Sequence, residues 1–291
     1  MRAFFPWPGR PATGLLLLLS LAGLTPLAAQ TPPPVGHFDE VPFITSPDNV
    51  TLEMLRLADV GPRDHVIDLG SGDGRIVILA AKRFGATGLG VEIVPDLVQQ
   101  SIRNARDAGV ADRVSFRTED LFKTDLSQAT VVTMYLLPEV NLQLRPALLA
   151  LKPGTRLVSH DWDMGDWQPD QTTVLPVPDK KVGIEKSSKV HLWVVPAKVQ
   201  GLWCGNGPIH EFSLQLTQRH QVAEGTIHRR GRERPVSGRI EGATLRTSET
   251  KQGSLVLEIA GDQMRVTGGT GPIALTRGQS FTRTQADRCA S

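Results

Sequence analysis

Residues 66–75 read Val-Ile-Asp-Leu-Gly-Ser-Gly-Asp-Gly-Arg: an apolar strand end, then an acid, then three glycines at alternate positions. A helical pattern follows at once over residues 75–84. Glycine lacks a Cβ and tolerates positive φ, so a strand, a glycine-rich turn and a helix in this order let the backbone approach a ligand closely. The helix N-terminus adds free N–H groups and the positive end of a dipole. The stretch therefore predicts a ligand site at a strand-to-helix turn.

The spacing within this stretch separates two classes of nucleotide-type site. A dinucleotide fingerprint has the order G-x-G-x-x-G, with an acid about 20 residues further on. Here the order is D-x-G-x-G-x-G, with Asp68 two residues before the first glycine. Two more acids follow the next predicted strands, Glu92 at the end of residues 87–92 and Asp120 after residues 114–117. The position of Asp68 and the lack of the G-x-G-x-x-G order therefore argue against an NAD(P)-dependent oxidoreductase, which is kept as an alternative.

This order, with an acid at or just beyond the end of each of three successive strands, resembles the class I S-adenosylmethionine (AdoMet) methyltransferases. The resemblance implies that AdoMet is the cofactor. It further implies that the Glu92 carboxylate accepts both ribose hydroxyls, and that Asp120 and the backbone N–H of Leu121 meet the adenine. The cofactor-binding residues expected from it are Asp68, Gly70, Ser71, Gly72, Glu92, Asp120 and Leu121.

Apolar segments alternate with helical patterns through residue 197. Such alternation predicts an α/β fold with a doubly wound, Rossmann-like methyltransferase sheet of seven strands. Ligands bind outside the carboxyl ends of these strands, where the three acids lie. The strands are predicted at residues 65–69, 87–92, 114–117, 130–135, 155–159, 173–175 and 190–195.

The pattern changes after residue 198, where short segments of alternating polarity recur between turn signals and no helix-length apolar pattern is found. Residues 212–216 and 255–259 show this alternation most clearly. We predict a small all-β C-terminal domain, a barrel or a sandwich, over residues 198–291, following a methyltransferase domain over residues 38–197. The predicted turns are Glu224-Gly225, Glu241-Gly242, Gly261-Asp262 and Gly268-Gly269.

The formal net charge of +2 hides a division between these two parts of the chain. Residues 30–197 carry 17 Lys and Arg against 22 Asp and Glu, whereas residues 198–291 carry 13 against 8. We favour two surfaces that attract each other. The alternative is a basic patch at residues 229–234 for an anionic partner. No aromatic residues interleave these arginines, so we expect no nucleic-acid partner.

The first 29 residues are typical of a secretory signal peptide, with Arg2 and Arg10 before an apolar core at residues 15–24. Residues 30–37 follow as a Pro-rich linker. We therefore expect a periplasmic or secreted protein with no stable membrane span after cleavage. The alternative is an inner-membrane protein anchored by the uncleaved N-terminal segment.

Two cysteines, Cys204 and Cys289, lie near the two ends of the predicted β domain. In an exported protein an even pair suggests a disulfide. Two buried free thiols are the alternative.

The fourth and fifth predicted strands end in polar side chains, where this fold places the methyl acceptor. Tyr135 is the only tyrosine in the chain. Its ring could form a cation–π contact with the sulfonium, or its hydroxyl could orient the acceptor. The alternative is that the ring packs on the next helix. Asp161 and Asp163 share parity on a segment expected to be extended, so they are expected to face one way. A carboxylate there binds an ammonium group and gives its proton a route.

The same segment allows other interpretations. His160, Asp161 and Asp163 together are a conceivable metal site, but the methyltransferase fold gives the carboxylates a better use, and we assign no metal. Trp162 and Trp167 are candidates either for shaping a channel for an alkyl side chain or for stabilising the loop.

Three stretches make the resemblance narrower: residues 41–47, residues 136–141 (Leu-Leu-Pro-Glu-Val-Asn) and residues 160–167 (His-Asp-Trp-Asp-Met-Gly-Asp-Trp). They resemble the protein-lysine methyltransferases that modify the c-subunit of mitochondrial ATP synthase and the adenine nucleotide translocator, and their bacterial relatives. The resemblance implies N-methylation of a lysine in a protein substrate, with Tyr135, Asp161 and Asp163 as catalytic candidates. The alternative is an exported, non-enzymatic binding or scaffold protein built on a methyltransferase fold.

Overall fold

A computed structural model describes residues 44–181 and 183–289. The predicted signal peptide and the Pro-rich linker lie outside the described residues. Among the residues that are described, no helix has the length and apolar character needed to cross a membrane.

A seven-stranded sheet with the strand order β3-β2-β1-β4-β5-β7-β6 confirms the predicted α/β fold. The first five strands run parallel, whereas β7 runs antiparallel to both β5 and β6. The order reverses between β1 and β4, and the crevice outside their carboxyl ends is where such sheets bind ligands. The strands are β1 His65–Leu69, β2 Thr87–Glu92, β3 Val114–Thr118, β4 Val131–Met134, β5 Arg156–His160, β6 Gln171–Pro176 and β7 Ser187–Val194.

Four helices pack against this sheet: α1 Asp48–Leu57, α2 Arg75–Phe84, α3 Pro95–Asp107 and α4 Pro138–Leu148. In α2 the buried residues are Ile76, Val77, Ala80 and Ala81, which form one apolar stripe at helical spacing. One apolar core joins α1 and α2 to the sheet through Met54 and Val66. A second core joins α4 to the sheet, so the central strands are buried between layers.

The C-terminal part of the chain is a closed antiparallel barrel, which decides between the two predicted β architectures. Its strands alternate as expected, with Leu214, Leu216, Leu255 and Leu257 buried in the core. Sheet and barrel belong to one compact unit. The barrel strands are β8 Gly201–Gly205, β9 Phe212–Arg219, β10 Val222–Arg229, β11 Arg232–Glu241, β12 Thr244–Thr247, β13 Leu255–Ala260, β14 Gln263–Gly269 and β15 Ser280–Thr284.

Two of the predicted turns are wrong. Gly268 and Gly269 lie inside β14, paired with Val256 and Leu255 of β13. The second error is the turn predicted at Glu224-Gly225. The chain instead turns at His220, whose φ is 52°, and Gly225 lies inside β10 opposite Leu216. A Cβ on Gly225 would lie 1.9 Å from the carbonyl oxygen of Gln215. Glycine is therefore required here for the close approach of two strands, which a sequence pattern does not distinguish from a turn.

Cys204 and Cys289 form a disulfide, as expected, and the alternative of two free thiols is wrong. The bridge ties β8 to the end of the described chain across a sequence separation of 85 residues. It therefore closes a loop that contains nearly the whole barrel.

Candidate functional site

The glycine-rich turn leaves β1 and enters α2 with positive φ at all three glycines, 75° at Gly70, 54° at Gly72 and 79° at Gly74. The N–H groups of Gly70 and Ser71 both donate to the Val91 carbonyl, each at 2.9 Å, which joins the turn to β2. A Cβ on Gly74 would lie 2.7 Å from the Phe116 ring, so this glycine allows the start of α2 to pack closely on β3. The turn is thus held by hydrogen bonds to β2 and by close packing on β3.

Helix α3 holds the same turn from the other side. Ser101 donates its hydroxyl to the Gly72 carbonyl at 2.9 Å, and Asn104 donates its side-chain amide to the Asp73 carbonyl at 2.9 Å. These bonds satisfy two backbone carbonyls of the turn. The start of α2 lies at this crevice, and helix N-termini offer free N–H groups to anions and other ligands.

Asp68 is a buried carboxylate at the end of β1, with only 2% of its surface exposed. It accepts a hydrogen bond from the Thr133 hydroxyl at 2.7 Å. Burial raises the pKa of Asp68 to about 7, the charges of Glu92 and Asp73 add to this, and the Thr133 bond opposes it. Within the described residues Asp68 has no basic partner, so this carboxylate suits a cationic ligand.

Glu92 ends β2, and its carboxylate binds three backbone N–H groups. Its Oε2 accepts from Gly72 at 3.0 Å, and its Oε1 accepts from Ile93 at 2.9 Å and from Val94 at 3.1 Å. Glu92 therefore fixes the glycine turn relative to β2 while it keeps lone pairs for a ligand. A sequence pattern predicts the position of this acid but not its bond to Gly72.

The remaining cofactor candidates lie at the same edge of the sheet. The Asp120 carboxylate caps the short 3-10 turn Leu121–Lys123 by accepting from the Phe122 N–H at 3.0 Å. Leu121 packs against the core below it. Ser71 is buried, and its hydroxyl has no hydrogen-bond partner within the described part of the chain. The structure brings all seven residues together around the carboxyl ends of β1, β2 and β3.

The acceptor side is built around His160, the last residue of β5. The Tyr135 ring stacks on the His160 ring, with centroids 3.9 Å apart and an interplanar angle of 27°. The two ring nitrogens of His160 contact the hydroxyls of Ser46 at 2.8 Å and Ser188 at 3.0 Å. Burial lowers the pKa of His160 to about 4, and Lys180 contributes in the same direction while Asp161 opposes it. The imidazole is therefore neutral at neutral pH.

Asp161 and Asp163 do not lie on an extended segment, so the expectation that they face one way is wrong. Asp161 has a φ of 64°, and the N–H of Trp162 turns back to the His160 carbonyl at 2.8 Å. The Asp161 carboxylate accepts from Lys180 Nζ at 2.8 Å and from the Lys189 N–H at 3.0 Å. Asp163 is exposed and accepts from the Gly165 N–H at 3.0 Å.

Burial by itself would raise the pKa of Asp161. The hydrogen bonds from Lys180 and the Lys189 N–H, together with His160, outweigh burial and hold this pKa below its usual value. Burial and the nearby Asp161 charge raise the pKa of Tyr135. The acceptor side thus presents an ionised carboxylate beside a neutral phenol and a neutral imidazole.

The two tryptophans of this loop have different environments. Trp162 is 39% exposed at the mouth of the crevice, whereas Trp167 is fully buried. The Asn141 amide, on α4, donates to the Trp162 carbonyl at 3.2 Å and to the Asp163 carbonyl at 3.3 Å. Trp167 therefore stabilises the loop, and Trp162 is the tryptophan left to contact a ligand.

Three residues of the site escaped the sequence analysis. Lys180 comes from the connection between β6 and β7, and its pairing with Asp161 has no sequence signal. Ser46, just before α1, is buried against His160, and its carbonyl accepts from Arg75 at 2.9 Å. Thr133 lies inside β4 beside Asp68, and a threonine within an apolar central strand was the signal available for it.

Exposed apolar side chains follow four of the strands that end at the crevice, which is typical of a ligand site rather than of a solvated sheet edge. Each follows a different strand: Ile93 after β2, Phe122 after β3, Leu137 after β4 and Trp162 after β5. The strand order, the glycine turn and the buried acids that have no basic partner among residues 44–181 and 183–289 together fit a cationic nucleoside cofactor. They define the cofactor side of a class I AdoMet-dependent methyltransferase.

Comparison with known proteins supports this class. The model of the ANTKMT methyltransferase domain family matches residues 68–171. A protein-lysine N-methyltransferase of Saccharolobus islandicus is 40% identical over 163 residues, which are 55% of this chain and 98% of that protein. The human lysine N-methyltransferase of the ATP synthase c-subunit is 37% identical over 134 residues, so the chain spans about half of that relative, 55% of its length.

A solved structure, an RNA methyltransferase from Salinibacter ruber in complex with S-adenosyl-L-homocysteine, is 52% identical and has a TM-score of 0.48. The similarity covers 54% of this chain and 96% of that one. On the archaeal match, which spans nearly all of a relative, the chain belongs to the family of AdoMet-dependent methyltransferases that contains the ANTKMT domain and the archaeal protein-lysine N-methyltransferase. It is a methyltransferase, and its cofactor is AdoMet.

Proposed function

We propose that this enzyme methylates the side-chain nitrogen of lysine residues in proteins. The observation that carries the proposal is the ion pair between Asp161 and Lys180, in which Lys180 Nζ lies 2.8 Å from Asp161 Oδ2. The carboxylate beyond β5 therefore has the geometry to bind a lysine ammonium next to Tyr135 and His160. The names of the archaeal and human relatives, both lysine N-methyltransferases, support the same acceptor.

AdoMet supplies an electrophilic methyl group on a sulfonium when it is bound. Asp68 and Glu92 would hold it, because both are buried acids without a basic partner among the described residues. Asp161 attracts the acceptor ammonium and aligns its nitrogen, and alignment is the main source of acceleration in a displacement at carbon. Its lowered pKa makes it a weak base, so it orients the acceptor rather than storing its proton.

Loss of a proton must precede attack, because an ammonium has no lone pair. Burial beside the uncharged Tyr135 and His160 favours the neutral amine, whereas the ionised Asp161 carboxylate favours the ammonium. Desolvation lowers the pKa of a lysine brought among such groups. The proton leaves to solvent past the exposed Asp163.

A direct experiment tests this acceptor. Residues 30–291 are incubated with methyl-labelled AdoMet in three separate reactions. The acceptor is poly-L-lysine in the first, an envelope protein fraction in the second and total RNA in the third. The proposal expects N-methyl-lysine after acid hydrolysis of the protein acceptors, and a Glu92→Ala variant should give none. Label in RNA alone, or no label in any acceptor with folded enzyme, would overturn it.

We also propose that the enzyme acts outside the cytoplasm. The composition of residues 1–29 supports export, and a disulfide between Cys204 and Cys289 is the bond expected of an oxidising compartment. Cell fractionation with N-terminal sequencing tests this: a periplasmic or secreted protein that begins near residue 30 is expected. An intact N-terminus in the cytoplasm would contradict it.

A further inference from the structure

The segment between β5 and β6, residues 161–170, carries the acceptor-side residues and is here called the acceptor loop. It contains one fully buried apolar anchor besides Met164, the side chain of Trp167. Trp167 packs at a tilt against Trp193 of β7, with centroids 6.2 Å apart, and accepts at its carbonyl from the Trp193 indole N–H at 2.7 Å. The sheet therefore holds only one side of this anchor.

The barrel holds the other side. The His220 ring, at the turn between β9 and β10, stacks on the Trp167 ring with centroids 5.8 Å apart and an interplanar angle of 22°. The neighbouring Arg219 lies 3.0 Å from Asp166, and Arg145 of α4 binds the other oxygen of that carboxylate. Asp166 thus links the barrel, the loop and α4.

Two further barrel residues bind the end of the loop. The Gln221 amide donates to the Gln168 carbonyl at 2.7 Å, and the Arg239 guanidinium pairs with Asp170. The second oxygen of Asp170 accepts from the Val194 N–H of β7 at 2.8 Å. These contacts from the barrel all fall on residues 166–170, just after Asp161 and Trp162 in the chain.

The acidic methyltransferase part and the basic barrel form ion pairs where the barrel contacts the acceptor loop. Asp166 and Asp170 come from the acidic methyltransferase part, and Arg219 and Arg239 from the basic barrel. The 163 matched residues make up 98% of the archaeal relative, so the unmatched part of that relative is too short to form a barrel of this size. The contacts of residues 219–221 with the loop are therefore an addition of this chain.

Building on the proposed function, we propose that the barrel turn at residues 219–221 is a positioning element for methyl transfer: it holds the acceptor loop in register with the crevice. In this arrangement Arg219, His220 and Gln221 act through Asp166, Trp167 and Gln168 and touch neither substrate. Loss of the turn's contacts loosens the acceptor side and leaves the cofactor side, held by α3 and β2, unchanged.

The test uses the whole mature chain with His220→Asn, because asparagine tolerates the positive φ of 52° and removes only the stacked ring. The matched control is Arg230→Asn, at the next barrel turn, where φ is 47° and the side chain pairs with Glu211 instead of the loop. Amide hydrogen exchange is followed at residues 161–170 and at residues 66–75. AdoMet affinity is measured by calorimetry. The values of kcat and KM are measured by steady-state kinetics with poly-L-lysine as the acceptor.

His220→Asn should raise exchange in the acceptor loop about threefold to tenfold, the range expected for one aromatic pair, and leave the glycine turn unchanged. KM for poly-L-lysine should rise or kcat fall several-fold, with the AdoMet dissociation constant unchanged, and Arg230→Asn should match the wild type. Unchanged exchange in the loop, or an equal rise at both segments, would overturn the positioning role. If wild-type enzyme forms N-methyl-lysine in neither poly-L-lysine nor the envelope protein fraction, the proposed acceptor fails, while the exchange result still decides this inference.

Discussion

Lys180 Nζ lies 2.8 Å from Asp161 Oδ2, and both side chains are nearly buried, with 14% and 12% of their surfaces exposed. Lys180 also donates to the Ser187 carbonyl at 2.7 Å. The carboxylate that the sequence assigns to an incoming lysine is therefore already bound by a lysine of the same chain. An acceptor must share or displace this internal ammonium before it aligns with the crevice.

Replacing the carboxylate tests its role on the acceptor side. Asp161→Asn should lower kcat/KM for poly-L-lysine about 10- to 100-fold, the range for losing one charged hydrogen bond. The AdoMet dissociation constant should stay within about twofold, since Glu92 and Asp68 lie on other strands. Steady-state kinetics and calorimetry measure both quantities. Asp179→Asn, an exposed acid close to Lys180, is the control, and equal turnover in the two variants would refute the assignment.

Removing the internal ammonium should have the opposite effect on acceptor binding. Lys180→Met frees the Asp161 carboxylate, so KM for poly-L-lysine should fall about threefold to tenfold. Lys181→Met removes an exposed neighbouring charge and should leave KM unchanged. A rise in KM for Lys180→Met, with an unchanged melting temperature, would show that Lys180 helps to form the acceptor site instead of competing for it.

His160 predicts a loss of stability in mild acid. Its folded pKa is about 4 against an ordinary value of 6.5, with burial as the main cause. Above pH 6.5 neither state binds the proton. As the pH falls from 6.5 towards 4, the unfolded chain takes up the proton and the folded protein does not, so stability is lost in this window.

Asp68 acts in the opposite direction, so a variant is needed to isolate the contribution of His160. Burial raises the pKa of Asp68 to about 7 from an ordinary value of 3.8. As the pH falls from 7 towards 3.8, the folded protein takes up this proton and the unfolded chain does not, so Asp68 adds stability in this window. His160→Gln should melt lower than wild type at neutral pH but lose less on going to a pH of about 4.5. The exposed His210→Gln variant should keep the wild-type slope; identical slopes in all three proteins would contradict the buried neutral imidazole.

The disulfide predicts a barrel that depends on oxidation. Closing a loop of 85 residues is worth about 4–5 kcal/mol in the chain-entropy model. Dithiothreitol, or Cys204→Ser with Cys289→Ser, should therefore lower the free energy of unfolding by up to that amount, measured by denaturant titration. The AdoMet dissociation constant should change less than about twofold while the protein is folded. An unchanged unfolding midpoint after verified reduction would argue against this stabilisation.

The sheet and its cofactor edge were predictable because they depend on local signals. The D-x-G-x-G-x-G order fixes a strand-to-helix turn, and an acid at the end of an apolar strand in a parallel sheet must lie near that turn. Glu92 and Asp120 were found in this way. The disulfide followed from two cysteines at the ends of one domain.

The acceptor side was only partly predictable because it depends on contacts distant in sequence. The positive φ of Asp161 accompanies its bonds to Lys180 and the Lys189 N–H, which no pattern around residue 161 encodes. The stacking of His220 on Trp167 joins residues about 50 positions apart. Gly225 shows the same limit, since a glycine in a strand and a glycine in a turn look alike in sequence.

Calorimetric titration of residues 30–291 with AdoMet and with S-adenosyl-L-homocysteine tests the central claim most directly. We predict micromolar binding of both ligands by the wild type. Because Glu92 joins the glycine turn to β2 through Gly72, Glu92→Ala should weaken the binding of both ligands at least about tenfold. Glu119→Gln, one strand away, should bind as the wild type does. Absence of binding by well-folded wild-type protein, or an unchanged dissociation constant in Glu92→Ala, would contradict the cofactor site and favour a scaffold built on a methyltransferase fold.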